Sequence, residues 1–443
     1  AALGVIAFSI TTPQRTAAQR TAPSSGVASR TASMPALTST PQPQASGRPQ
    51  DTKSRQIQAL LSKRADAVRR HDVNAFLATV DPQADPAFIA AQRNMFANLR
   101  SIPFSTWSYQ LTGGDAVSTA ALTNHVDGRI ANEYWAPNLR LSYGYAGVDQ
   151  RPTSEVLGYL FARRGNTWYL ESDTALDGFG VRTWRGPWDY GPCQVTSTPV
   201  GLIIAHPSSA ATVKQIAGQL PGAVNAVTAV WGRRWPGKIT VLVPASDTEL
   251  RGYVGSAFTS DSIAAIAVAD STNETTHVAT GQRVVVNPGG IGGMTAEQFA
   301  ILLRHELTHV ATRGYTVDGA PTWMLEGFAD YVGYKTSGVP FAQAAPDLAE
   351  QVRTTGPPAG PPVDNEFGAD DSSLNLAYQQ AWSLCRYVAT KYGEPALVRL
   401  YQRVAGAGKQ SSQQLDANVR AVLGVPFGQL ITGWQQYLKQ SFG

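Results

Sequence analysis

His305-Glu306-Leu307-Thr308-His309 is the stretch on which the reading of this chain turns. Its two histidines are four residues apart, a spacing that puts both rings on one face of an α-helix. The flanks predict that helix over 295–313. Thr295 is placed as its N-cap, and Gln298, three residues on, completes a capping box. Phe299, Leu302, Leu303, Leu307 and Val310 recur at helical spacing and predict a buried stripe. Gly314 is placed to end the helix. A histidine pair on such a rigid, partly buried helix can grip one metal ion. Glu306 then lies beside it, placed to take a proton from water.

A hydrolytic zinc site takes three protein ligands and leaves one position open. A metzincin would have a glycine at position 312 and a third histidine at 315, but this chain has Thr312 and Tyr315 there. The next candidate segment is PTWMLEGFADY, from Pro321 to Tyr331. Proline suits the first turn of a helix. Glu326 and Asp330 are four apart and share a face. Glu326 can complete a His-His-Glu site. Asp330 can accept a hydrogen bond from a ligand histidine and fix its tautomer.

HELTH followed by WMLEGFADY resembles the gluzincin metallopeptidases, in particular the peptidase MA-like group, over about residues 200–443. The resemblance implies one Zn2+ per chain held by His305, His309 and Glu326, with Glu306 as general base and Asp330 orienting a ligand histidine. It implies a small sheet ahead of the metal helix whose edge strand holds an extended substrate, and residues 263–268 or 284–287 are placed to be that edge. The family supplies a tyrosine or histidine to the oxyanion from a later helix. AYQQAWSLC, residues 377–385, resembles that helix and makes Tyr378 the candidate, with Tyr331, Tyr334 and Tyr387 nearby. The expected activity is zinc-dependent hydrolysis of a peptide or protein substrate. A reading from another class is a catalytically silent surface binding or scaffolding protein with a structural zinc site.

Outward from this centre, 443 residues predict two or three domains in an α+β, multidomain chain. Residues 1–10 (AALGVIAFSI) are almost wholly apolar but too short to span a bilayer, which takes roughly 20 residues. They fit the tail of a signal peptide or membrane anchor. Residues 11–52, rich in Ala, Ser, Thr, Pro and Gln, predict a disordered linker. Residues 54–173 read as helices followed by strands, with apolar alternation at Trp107/Tyr109/Leu111 and Leu139/Leu141/Tyr143/Tyr145 and further strands at 155–163 and 167–172. That order resembles an NTF2-like cone, a fold that often holds a pocket. His125 and Asp173 are placed to line one, and no chemistry is assigned to them.

Residues 174–198 read as a Gly/Pro/aromatic connector, and 199–443 as the metal-bearing domain. Within it, 211–231 predicts a helix broken near Pro221, 336–373 a loop, and the last four helices fall near 374–392, 395–405, 412–423 and 426–441. The net charge is +4, and residues 1–70 hold ten Lys/Arg against two Asp/Glu, so the basic excess belongs to the N-terminal arm. That arm is a solvated segment or one drawn to an anionic surface. No basic-aromatic interleaving points to nucleic acid. Cys193 and Cys385 form no C-x-x-C pair, and a disulfide between them is open if the protein is exported. The layout predicts an extracellular or cell-surface location with a possible membrane tether. Nothing in the sequence sets an oligomeric state.

Overall fold

A computed structural model describes residues 52–123, 131–255, 263–368 and 371–443. The expected anchor tail, all but the last residue of the linker, and His125 lie outside them. The chain opens with α1 (Thr52–Arg70), α2 (Val73–Leu77) and α3 (Pro86–Leu99). Asp72 caps α2 by accepting from the Ala75 N–H, and Asp85 caps α3 by accepting from Ala87. These helices pack on an antiparallel sheet of β1 (Phe104–Val117), β2 (Glu133–Tyr145), β3 (Thr153–Leu157), β4 (Leu160–Arg164) and β5 (Thr167–Ser172), with the short α4 (Thr119–Thr123) after β1. The expected single strand over 155–163 is two strands. β3 pairs with residues 139–143 of β2, and β4 with residues 133–135. The break falls at Gly158, where the backbone of Val181 presses so close that a Cβ would lie 2.5 Å from its carbonyl oxygen.

A second, mixed sheet runs in the order β6 (Gln194–Thr198), β7 (Gly201–Ala205), β8 (Ile239–Val243), β12 (Arg283–Val286), β9 (Ala265–Val268). β7, β8 and β12 are parallel and wholly buried, and apart from Thr240 and Arg283 they read as apolar runs as such strands do. β6 lies in the stretch expected to be connector. Its residues are all exposed or half-buried, so it gives little apolar signal. Helix α5 (Ala210–Trp231) bridges β7 and β8. It runs unbroken through Pro221, because buried Ile216, Leu220, Val224, Val227 and Trp231 straddle the proline and hold both halves on one core face. Helix α6 (Asp247–Val254) precedes β9. The hairpin of β10 (Ser271–Asn273) and β11 (Val278–Thr280) joins β9 to β12, and α7 (Pro288–Ile291) follows.

The remainder is helical. α8 (Ala296–Thr312) and α9 (Thr322–Tyr334) pack together, followed by α10 (Phe341–Ala344), α11 (Pro346–Thr354), α12 (Asp371–Tyr392), α13 (Glu394–Ala405), α14 (Ser412–Leu423) and α15 (Phe427–Phe442). α10 and α11 fall where a loop was expected. Pro346 opens α11 at a position that tolerates proline, and Leu348, Ala349 and Val352 give a buried face to a helix of only nine residues. Among the described residues no helix is long and apolar enough to cross a membrane.

Candidate metal centre

Helix α8 starts as its cap predicts. Thr295 accepts from the Gln298 N–H at 3.2 Å, and the Gln298 side chain accepts from the Thr295 N–H at 2.8 Å. Its end differs from expectation: Gly314 has no left-handed φ, and the chain continues through a 3-10 turn at 313–315. Gly314 is there for clearance, since a Cβ would lie 2.2 Å from the carbonyl oxygen of His277. Helix α9 begins behind Pro321 with no side-chain cap of its own. Asp364, distant in sequence, accepts from the Thr322 N–H at 2.9 Å instead.

The two helices bring three side chains to one point. His305 Nε2 lies 3.2 Å from Glu326 Oε2, His309 Nε2 lies 3.4 Å from the same oxygen, and the two Nε2 atoms are 3.0 Å apart. Atoms about 2.0–2.2 Å from a shared tetrahedral centre stand about 3.3–3.6 Å apart, so this triangle is near the size a zinc ion requires. Among the described residues it is the one group of three His, Cys, Asp or Glu side chains so placed. Asp330 Oδ1 is 2.8 Å from His305 Nδ1. A carboxylate accepts, so Nδ1 carries the proton and Nε2 turns its lone pair into the triangle. Facing lone pairs and a carboxylate repel one another unless a cation or proton sits among them. The donor set of two imidazoles and a carboxylate therefore fits zinc.

Burial shapes the charges of the cluster. Burial opposes a charged His305, but Asp330, Glu326 and Glu306 outweigh it and raise its pKa well above the ordinary value. Burial would raise the Glu326 carboxyl too, yet His309 and His305 hold it down at about 2. Glu306 goes the other way: burial raises it, and the same histidines offset only part of that rise. Glu306 Oε2 accepts from the Ala267 N–H of β9 at 2.8 Å, while its Oε1 is buried without a partner among the described residues.

No protein-family model and no curated protein matches the chain. Solved structures do. The M1 zinc metallopeptidase from Deinococcus radiodurans aligns at 13% identity and TM-score 0.33, over 62% of this chain and 58% of that one. A mutant of that enzyme bound to a Tyr-Ser-Ala substrate aligns at 16% and 0.34, over 63% and 59%. Yeast LTA4 hydrolase aligns at 10% and 0.36, over 65% and 45%. The chain thus spans less than two thirds of the length of these structures. At such scores the likeness is distant, and the reading of the site rests on the chain's own side chains.

Tyr378 of α12 is buried, with its ring centroid 6.4 Å from that of His305. Burial, then the carboxylates of Glu326, Asp330 and Glu306, raise its pKa well above the ordinary value. The other candidate tyrosines make different contacts, and the buried Tyr334 hydroxyl has no hydrogen-bond partner among the described residues. Tyr331 donates to Glu394, Tyr334 packs on Trp382, and Tyr387 packs on Tyr437. Cys193 and Cys385 are both free and buried. Asp173 accepts from Gln92 and Arg185 at the wall of a separate open cavity of about 970 Å³.

Two contributors escaped the sequence reading. The Ala267 N–H is a backbone group and has no residue-type signal. Gly327 stands where α9 and α12 touch: a Cβ would lie 2.4 Å from the Ala381 carbonyl oxygen and 3.0 Å from Cys385 Sγ. A mid-helix glycine beside Glu326 was the available clue, since it costs about 1 kcal/mol relative to alanine and needs a packing reason.

Proposed function

We propose that the chain is a zinc-dependent peptidase in which His305, His309 and Glu326 hold the ion and Glu306 is the general base. The observation that carries this reading is the triangle of ligand atoms with the unpartnered Glu306 oxygen beside it. A bound zinc ion would supply a Lewis acid that polarises a scissile carbonyl and acidifies water. Glu306, its carboxyl raised by burial, is suited to take a proton from the attacking water and pass it to the leaving amine. Asp330 keeps the His305 tautomer that ligation needs. Tyr378, a neutral phenol, is the candidate donor to the developing oxyanion.

β9 is the edge of its sheet, and Ala267 presents an outward N–H there. An extended peptide can add to such an edge, and we infer that it displaces Glu306 from that N–H. We assign no chemistry to the N-terminal α+β unit with its NTF2-like order. We place the protein outside the cell or at its surface on the apolar and Pro/Ser/Thr-rich character of residues 1–52. The test is cleavage of a mixed peptide library by the full chain, followed by mass spectrometry. Cleavage that stops with a chelator and returns with zinc is expected. A zinc-loaded chain that cleaves nothing would instead favour the silent scaffold.

A further inference from the structure

The open cavity walled by Asp173 lies between α3, the end of β5, the segment 185–191 and the first turn of α6. Its charged lining is four carboxylates, Asp85, Glu171, Asp173 and Asp189, against the guanidinium of Arg185. Glu171 has a counterion in Arg164, 3.6 Å away. Asp173 and Asp189 share Arg185, whose Nη1 lies 2.7 Å from Asp173 Oδ2 and 3.7 Å from Asp189 Oδ1. The longer distance is beyond a hydrogen bond. Asp173 is more than nine-tenths buried, yet its Oδ1 accepts no hydrogen bond among the described residues; Gln92 and Arg185 both go to Oδ2. Neither carboxylate is sealed off, since the two side chains keep 8% and 11% of their surface open.

Two nearly buried carboxylates with one guanidinium between them carry a surplus negative charge, which is costly away from water. Burial accordingly pushes the Asp189 carboxyl up to about 7; Arg185 and the Gly186 N–H offset part of that rise, and Asp173 adds to it. A second cation beside the pair would cancel the surplus. Next to the carboxylates the lining is apolar: Ala87, Ala91 and Met95 recur every four residues along α3, with Phe88 among them. A charged end beside an apolar strip suits a cationic head on a methylene stem, the build of a lysine or arginine side chain. We propose that this cavity binds an alkylammonium or guanidinium group, its head at Asp173 Oδ1 and Asp189 Oδ1 and its stem along α3. The site is separate from the metal centre, and the proposal stands whether or not the chain is a peptidase.

The test is calorimetry on the full chain carrying Glu306→Gln, in which the proposed cleavage of the probes is removed. The probes are butylamine and blocked Ala-Xaa-Ala tripeptides with Lys, Arg or Met in the middle. The Lys and Arg peptides are expected to bind roughly 10-fold or more tighter than the Met peptide. Asp189→Asn should abolish that difference, and its amide oxygen can still accept from the Gly186 N–H as Asp189 Oδ2 does. Ala91→Lys should abolish it too by setting the chain's own ammonium in the cavity. Ala91 is exposed on a helix, so this variant decides if Asp189→Asn does not fold. Butylamine competing with the Lys peptide would support the proposal with a free amine as ligand; binding of the basic peptides alone would support it with a basic side chain as ligand. Equal affinity for the Met and Lys peptides, no binding of any probe, or Lys binding unchanged by both variants would overturn it.

Discussion

Glu306 holds the Ala267 N–H with one oxygen and leaves the other buried and unpaired. A carboxylate kept in that state is poised for a proton; the grouping of His305, His309 and Glu326 beside it was legible in the sequence, whereas the Ala267 N–H was not. The four-residue spacings of His305/His309 and Glu326/Asp330 dictate which side chains share a face. What spacing cannot supply is the turn of α9 and α12 toward α8. The sequence offers Tyr378 as a candidate only through the family resemblance, and it is that turn which puts the ring beside His305 and the cluster carboxylates. Tyr378→Phe should lower kcat about 100-fold, typical of one oxyanion donor, with KM little changed. Steady-state kinetics on the zinc-loaded chain check this, and an unchanged kcat would make Tyr378 a packing residue.

Elements were legible where their signals are local. The capping box of α8 and the Asp caps of α2 and α3 rest on residues within three positions of one another. Features set by distant partners were not: α5 crossing Pro221, β6, and the Asp364 cap on α9. The α9–α12 contact is of the second kind, and Gly327 decides it. Gly327→Ala should drive the helices apart and destabilise the chain by about 1–3 kcal/mol, read as a lower urea midpoint. An unchanged midpoint would mean the helices have slack there.

His206, ahead of α5, makes a pH-dependent contact of the same long-range type. Its Nε2 is 2.8 Å from Glu249 and its Nδ1 is 3.0 Å from the Pro192 carbonyl. The Glu249 hydrogen bond raises its pKa against the opposing effect of burial. A raised folded-state pKa gives stability that is fully present below the unfolded value of about 6.5 and fades as pH rises through the folded one. The difference in melting temperature between wild type and His206→Gln should therefore shrink as pH rises from about 6 to 9. A constant difference would assign His206 a purely steric role.

At the scale of the molecule, the two sheets are tied by a buried bidentate pair. Arg283 Nη1 and Nη2 of β12 each lie 2.7 Å from an Asp149 oxygen in the loop after β2, and the guanidinium sits 4.6 Å from the Tyr145 ring. Thr153 of β3 also bonds Asp270, between β9 and β10. The N-terminal sheet thus braces the strands that frame the metal centre, which composition and periodicity had no means to show. Asp149→Ala strands a buried cation and should cost about 3–5 kcal/mol in urea unfolding. A loss under 1 kcal/mol would mean that water reaches Arg283.

The central claim joins all three scales: one zinc on two helices, with Glu306 working beside it. It is tested most directly by pairing zinc content from elemental analysis with peptide turnover, for wild type and Glu306→Gln. The account predicts one zinc per chain in both proteins and turnover only in the wild type. No zinc in either, or equal turnover in both, would contradict it.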